Sequence, residues 1–150
     1  QTEQDGDQAL LDSLLKLMAQ DRCDFTITWR RLSSFDSTPG ALNAASRDMF
    51  INREAFDAWA ATYRQRLQDE ASVDSVRAVA MNRVNPKFIL RNHLADTAIQ
   101  RAKRGDFSEV QKLHELLQRP FDEQADFPDN AAYADFPPDW AQHLEVSCSS

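Results

Sequence analysis

The sequence predicts an all-α fold of about six helices, including a tight αα-hairpin over about 86–119, followed by an extended, acidic, Pro- and aromatic-rich tail. Three observations carry this. Apolar residues recur at steps of three and four along most of the chain, the spacing that lines one face of a helix. Glycine occurs only at positions 6, 40 and 105, so few helix breakers interrupt that pattern. From Phe121 onward the periodicity fails, and three of the six prolines appear among Phe121, Phe127, Tyr133, Phe136 and Trp140.

The elements follow in order. Leu10, Leu11, Leu14, Leu15 and Met18 mark a first helix, for which Asp7 is the expected N-cap. A second opens at Asp24, with Phe25, Trp29, Leu32 and Phe35 spaced 4, 3 and 3; its Thr26-Ile27-Thr28 run also suits a strand. Residues 37–51 contain Pro39-Gly40 and read as a loop. A third helix follows Asn52, with Phe56, Trp59, Ala60, Tyr63 and Leu67 on one stripe, and a fourth runs from about Val73 to Arg83. Asn85-Pro86 reads as the cap and first position of a fifth helix, because a proline's missing N–H costs nothing there. Leu90, Leu94, Ala98 and Ile99 form its expected inner face, and Gly105 ends it. Asp106-x-x-Glu109 resembles a capping box for the sixth, whose apolar side is Val110, Leu113, Leu116 and Leu117 and which Pro120 stops. Residues 1–120 are therefore expected to form one helical domain, and residues 121–150 an extended acidic tail lying on it through its aromatics.

Composition excludes several functions. No run of eighteen apolar residues occurs, so no membrane-spanning helix is expected, and the amino-terminal stretch lacks the basic start and apolar core of a signal peptide. The chain also lacks an initiator Met, which suggests a processed product or a piece of a longer chain. Charge is unevenly spread: residues 1–104 carry 15 basic and 14 acidic side chains, residues 105–150 carry 2 and 10. Such an acidic carboxyl-terminal third repels phosphate backbones and anionic headgroups, so neither nucleic acid nor membrane is an expected partner.

Candidate chemistry is sparse. His93, His114 and His143 are too far apart in sequence for the short ligand spacing usual in metal sites, so no metal site is expected. No glycine-rich phosphate loop and no nucleophile elbow occurs, which leaves no catalytic or cofactor-binding residue to nominate. Arg104-Gly105-Asp106 spells an adhesion tripeptide, but a helix-ending Gly followed by a capping Asp explains it. Arg83, Lys87 and Arg91 form a local basic cluster, either a solvated face or a docking surface for acidic partners. Cys148 stands third from the end, where a thiol is hard to bury. Either it is incidental or it is there for its sulfur.

Residues 81–124 and the terminus then acquire a common meaning. Asn85-Pro86-Lys87 running into Leu90-Arg91-Asn92, Ala98-Ile99, Gly105-Asp106 with Ser108-Glu109-Val110, Pro120 with Asp122-Glu123, Pro138-Asp139-Trp140 and the terminal Ser147-Cys148-Ser149-Ser150 together resemble the carboxyl-terminal region of the selenoprotein O (YdiU-like) family. The resemblance is densest over 73–150, and Asp24–Leu32 also fits. It implies a parent protein with a kinase-like fold, a protein adenylyltransferase that moves AMP from ATP to Ser, Thr or Tyr hydroxyls with Mg²⁺ or Mn²⁺, in the bacterial cytoplasm. It also implies that Cys148 occupies the place of a terminal selenocysteine or cysteine with a redox-regulatory role, through a disulfide to the catalytic domain. The family's glycine-rich loop, nucleotide-binding Lys and metal-binding Asn and Asp map onto nothing here. What the resemblance implies is an accessory helical region, with no active site of its own, that braces a kinase-like domain of the same chain and meets the parent's protein substrates. A free-standing helical interaction module is the alternative. Cys23 matches no cysteine of the family pattern.

Overall fold

The computed structural model describes residues 4–141, and among these every regular element is helical. The chain divides into two compact units, Gln1–Asn85 and Pro86–Ser150.

The first unit holds α1 (Asp7–Gln20), α2 (Phe25–Leu32), α3 (Ala44–Arg47), α4 (Arg53–Asp69) and α5 (Asp74–Asn82). Asp24 caps α2 by accepting the Ile27 amide, and that cap decides the ambiguous Thr-Ile-Thr run for helix. Asn52 caps α4 in the same way through the Ala55 amide. Asp7 is not a cap: Gly6 takes that position in the left-handed region, and the Asp7 carboxylate accepts from the Gln4 amide and from Arg66. The expected loop over 37–51 contains one helical turn, α3, too short to leave a periodic signal.

α1 packs against α4, and the Trp59 indole N–H donates to the Leu10 carbonyl at 3.0 Å across that seam. Rings run through the core: Phe50 stacks on Phe56 at 4.7 Å, and Tyr63 stacks on Trp59 at 4.9 Å while meeting Phe35 edge-on at 5.0 Å. Leu14, Leu32 and Leu67 are buried beside them. α1 and α4 both end with the same reversal. Arg22 and Ala71 adopt positive φ, and the next amides, Cys23 and Ser72, return to the Met18 and Leu67 carbonyls.

The second unit holds α6 (Asn92–Ala102), α7 (Ser108–Leu117), α8 (Asn130–Ala134) and a 3₁₀ turn, Asp139–Ala141. Asn85-Pro86 does not open a helix. The Lys87 and Phe88 amides both donate to the Pro120 carbonyl, which holds this stretch outside helical geometry and sinks Phe88 into the core at 1% exposure. α6 therefore begins only at Asn92, and Leu90 and Ile99, expected inside, are exposed. Ala98, Leu113 and Leu116 form the core with Phe88 and Tyr133, and Leu94 and Leu117 pack against it.

α6 and α7 form the expected hairpin around Gly105, whose φ of 84° needs a residue without a Cβ. The capping box does not close. Asp106 accepts the Ser108 amide, while Glu109 turns away to Arg101 and Tyr133. Beyond Pro120 the chain is tied down by side chains. Gln124 donates to the Leu116 and Arg119 carbonyls at the end of α7, and Asn130 donates to the Gln124 carbonyl. Phe127 and Tyr133 face the core, whereas Phe121, Phe136 and Trp140 stay exposed. The sequence placed the change of organisation at Phe121, whereas compactness places the division at Asn85–Pro86.

Candidate functional site

The basic residues nominated from sequence are divided between the two units. Arg83 is exposed at the end of α5 in the first unit, while Lys87 and Arg91 belong to the second. Lys87 is engaged within its unit: its ammonium reaches the Glu123 carboxylate at 2.9 Å and the Glu123 carbonyl at 3.0 Å. Cys148 lies outside the described residues. Cys23 is half-buried, and its thiol donates to the Met49 carbonyl at 3.0 Å. Burial, and after it the Asp21 charge, pushes that thiol above its ordinary value, which disfavours the reactive thiolate.

The three glycines are solitary, at positions 6, 40 and 105, so the described residues hold no glycine-rich loop of the kind that cradles a phosphate. Among the described residues no three His, Cys, Asp or Glu side chains converge as metal ligands.

What the first unit does build is a groove of about 480 Å³ between α1, α2, α4 and α5. Leu10, Leu14, Leu32 and Leu67 give it apolar walls, supplied by the same helical stripes that form the core. Arg66 anchors one edge, with its guanidinium at 2.6 Å from Asp7 and 3.0 Å from Glu70. The Arg66 hydrogen bond holds the Asp7 carboxyl below the usual carboxylate range, with help from the Gln4 amide.

Arg77 anchors the other edge. It is 3% exposed, pairs with Asp74 at 2.7 Å, and donates to the Ser72 hydroxyl and the Phe35 carbonyl. Burial pushes the Asp74 carboxyl upward, but donation from the Ser37 amide and hydroxyl and from Arg77 outweighs it and leaves Asp74 below its ordinary value. Two buried donors on the groove walls, Trp29 Nε1 and Arg77 Nε, have no acceptor. Charges already paired in this way position a neighbour and do not transfer protons, so the arrangement suits recognition.

α5 makes the groove possible by an inverted amphipathicity. Asp74, Arg77, Ala78 and Met81 turn inward, and Val73, Val76 and Val79 turn outward. The sequence carried the signal, since those two sets alternate at helical spacing, but periodicity does not say which stripe is inside.

The second unit has its own buried polar contact. Tyr133 donates to Glu109 at 2.6 Å, and Arg101 reaches the other Glu109 oxygen at 3.2 Å. Burial, reinforced by the bond to Glu109, pushes the Tyr133 hydroxyl up to about 12. This clasp joins α6, α7 and α8 and offers no open acceptor to a substrate.

A small all-helical body with an apolar groove and paired charges has the features of a binding region. Comparison with known proteins supplies its family. The family described as "Protein adenylyltransferase SelO" matches residues 1–118, and this chain belongs to that family. Among its relatives are proteins named "Protein nucleotidyltransferase YdiU". The one from Burkholderia multivorans is 57% identical over 148 residues, covering 99% of this chain and 28% of the relative. The one from Paraburkholderia xenovorans is 56% identical over 150 residues, all of this chain and again 28% of the relative. The chain thus spans little more than a quarter of the length of these relatives. No helix among the described residues is long and apolar enough to cross a membrane.

Proposed function

We propose that this chain is the helical carboxyl-terminal accessory region of a bacterial protein adenylyltransferase. It braces the catalytic domain of the same polypeptide and has no active site of its own. The observation that carries this reading is the pairing of high identity across 99% of the chain with 28% coverage of the relatives, in a sequence without a glycine-rich phosphate loop. Phosphoryl-type transfer needs cations and positioned donors on the developing charge. The arginines at the groove, Arg66 and Arg77, are committed to carboxylates. ATP, Mg²⁺ or Mn²⁺ and the hydroxyl-bearing protein substrates belong to the upstream domain, and Arg83, Lys87 and Arg91 supply basic charge for docking.

Cys148 is the redox element in this reading. The half-buried Cys23, engaged with Met49 and disfavoured as thiolate, is a poor disulfide partner for it. A disulfide oxidant such as oxidised glutathione would take two electrons and two protons from Cys148 and an upstream cysteine. Isothermal calorimetry of the 150-residue chain with ATP and Mg²⁺ or Mn²⁺ should give no binding, while the full-length protein should bind ATP and label hydroxyl-bearing proteins with AMP. Millimolar or tighter ATP binding by the 150-residue chain overturns the accessory role. A quantitative Cys23–Cys148 link on mild oxidation overturns the tail assignment.

A further inference from the structure

Val73, the N-cap of α5, and Val76 and Val79 within the helix stand 58%, 67% and 53% exposed along one stripe. Single apolar side chains on a surface are ordinary, but a contiguous helical stripe with an arginine buried on the opposite side is a surface made to be covered. A second groove of about 710 Å³ runs beside it, lined by Gln4, Glu70, Ser72, Val76, Arg77 and Ala80. It shares Glu70 and Arg77 with the groove between α1, α2, α4 and α5, where Trp29 Nε1 and Arg77 Nε lack acceptors. Buried donors without acceptors are rare in finished structures, and a main-chain carbonyl entering the groove would supply one.

Gln4, the first described residue, is part of the second groove's lining, so the described chain begins at this surface. The relatives supply the chain: this region is 28% of their length. We infer that the α5 valine stripe and the grooves beside it seat the upstream catalytic portion of the same polypeptide, an inference that rests on the accessory role proposed above. The contact is intramolecular, so covalent linkage raises the effective concentration of the partner and a modest apolar area suffices.

Thiol accessibility in the full-length protein tests it. Cysteine is placed singly at Val76, at Val79 and, as an exposed control on α4, at Gln65, and alkylation under native conditions is followed peptide by peptide. Val76→Cys and Val79→Cys should react at least about tenfold more slowly than Gln65→Cys, independent of protein concentration. Rates within about twofold of the control overturn the inference, and so does protection that fades on dilution, which assigns the face to a second copy. As a second variant, Val76→Asp/Val79→Asp should make the junction before residue 1 several-fold more sensitive to limited proteolysis; unchanged cleavage counts against the contact. Failure of the two readings is separable: a full-length protein that transfers AMP but alkylates freely loses the docking face alone, and one that protects these thiols without transferring AMP loses the activity alone.

Discussion

Arg77 of α5 donates to the main-chain carbonyl of Phe35, which lies just beyond α2, while the valines of its own helix face outward. That one contact fixes how α5 is rotated. The neighbouring Arg30 completes the attachment by donating to the Asn82 and Asn85 carbonyls at 3.1 and 2.9 Å. α5 is thus held by two guanidiniums acting on main-chain acceptors, and its valines are left for another surface.

Removing the Arg77 guanidinium strands the Phe35 carbonyl and leaves the Asp74 carboxylate only its Ser37 donors. Arg77→Met should cost roughly 2–4 kcal/mol in urea denaturation of the chain. Val76→Ala, on the exposed face, should change stability by less than about 0.5 kcal/mol. Equal effects would show that α5 is rotated the other way.

Glu109 is 6% exposed and relies on Tyr133 and Arg101. Tyr133→Phe should cost about 1–3 kcal/mol, because a buried acceptor loses its donor. The alkaline limb follows from the raised hydroxyl. Folding favours the protonated phenol, so this stabilisation is complete below pH 10 and is lost as pH rises from 10 through about 12. Comparing wild type with Tyr133→Phe across that window should show the alkaline loss shrink in the variant.

In the second unit, Leu113→Ala should cost roughly 2–5 kcal/mol through lost burial plus a cavity, since Leu113 is 5% exposed. Leu90→Ala should cost under about 0.5 kcal/mol, as Leu90 is 55% exposed. A large effect at Leu90 would restore the helix expected to begin at Pro86.

Burial, and after it the Arg91 charge, pushes His93 below the ordinary imidazole range. A lowered folded value means that the neutral ring is favoured in the folded state. The stabilisation is therefore present above the usual histidine value and is lost as pH falls from that value through the lowered one. NMR titration of the ring should place His93 below a model histidine, and a value at or above it would refute the buried setting against Trp140, whose ring meets it edge-on at 6.2 Å.

On the acid side, Asp74 is held below its ordinary value, so its contribution is present above the ordinary aspartate value and is lost as pH falls through the folded one. Asp74→Asn should flatten the acid limb of the stability profile relative to wild type. An unchanged limb would place the acid sensitivity elsewhere.

Much of the fold was legible because it is local. The Asp24 and Asn52 caps, the Phe56–Leu67 stripe and the Gly105 reversal each follow from residue types within one or two turns. The same locality exposed the absence of a glycine-rich phosphate loop, and the spacing of Asn85-Pro86-Lys87 through the terminal Cys-Ser-Ser carried the family resemblance. What local chemistry could not settle depended on partners far along the chain. Pro86 suits the start of a helix, yet the Pro120 carbonyl claims the Lys87 and Phe88 amides. Glu109 suits a capping box, yet Tyr133, 24 residues later, supplies a better-buried donor. The α5 pattern has two faces of equal period, and only the Phe35 carbonyl, 42 residues earlier, decided that the arginine goes in and the valines stay out. Periodicity determines that a helix has two faces; long-range acceptors, which must be satisfied once buried, determine which one it hides.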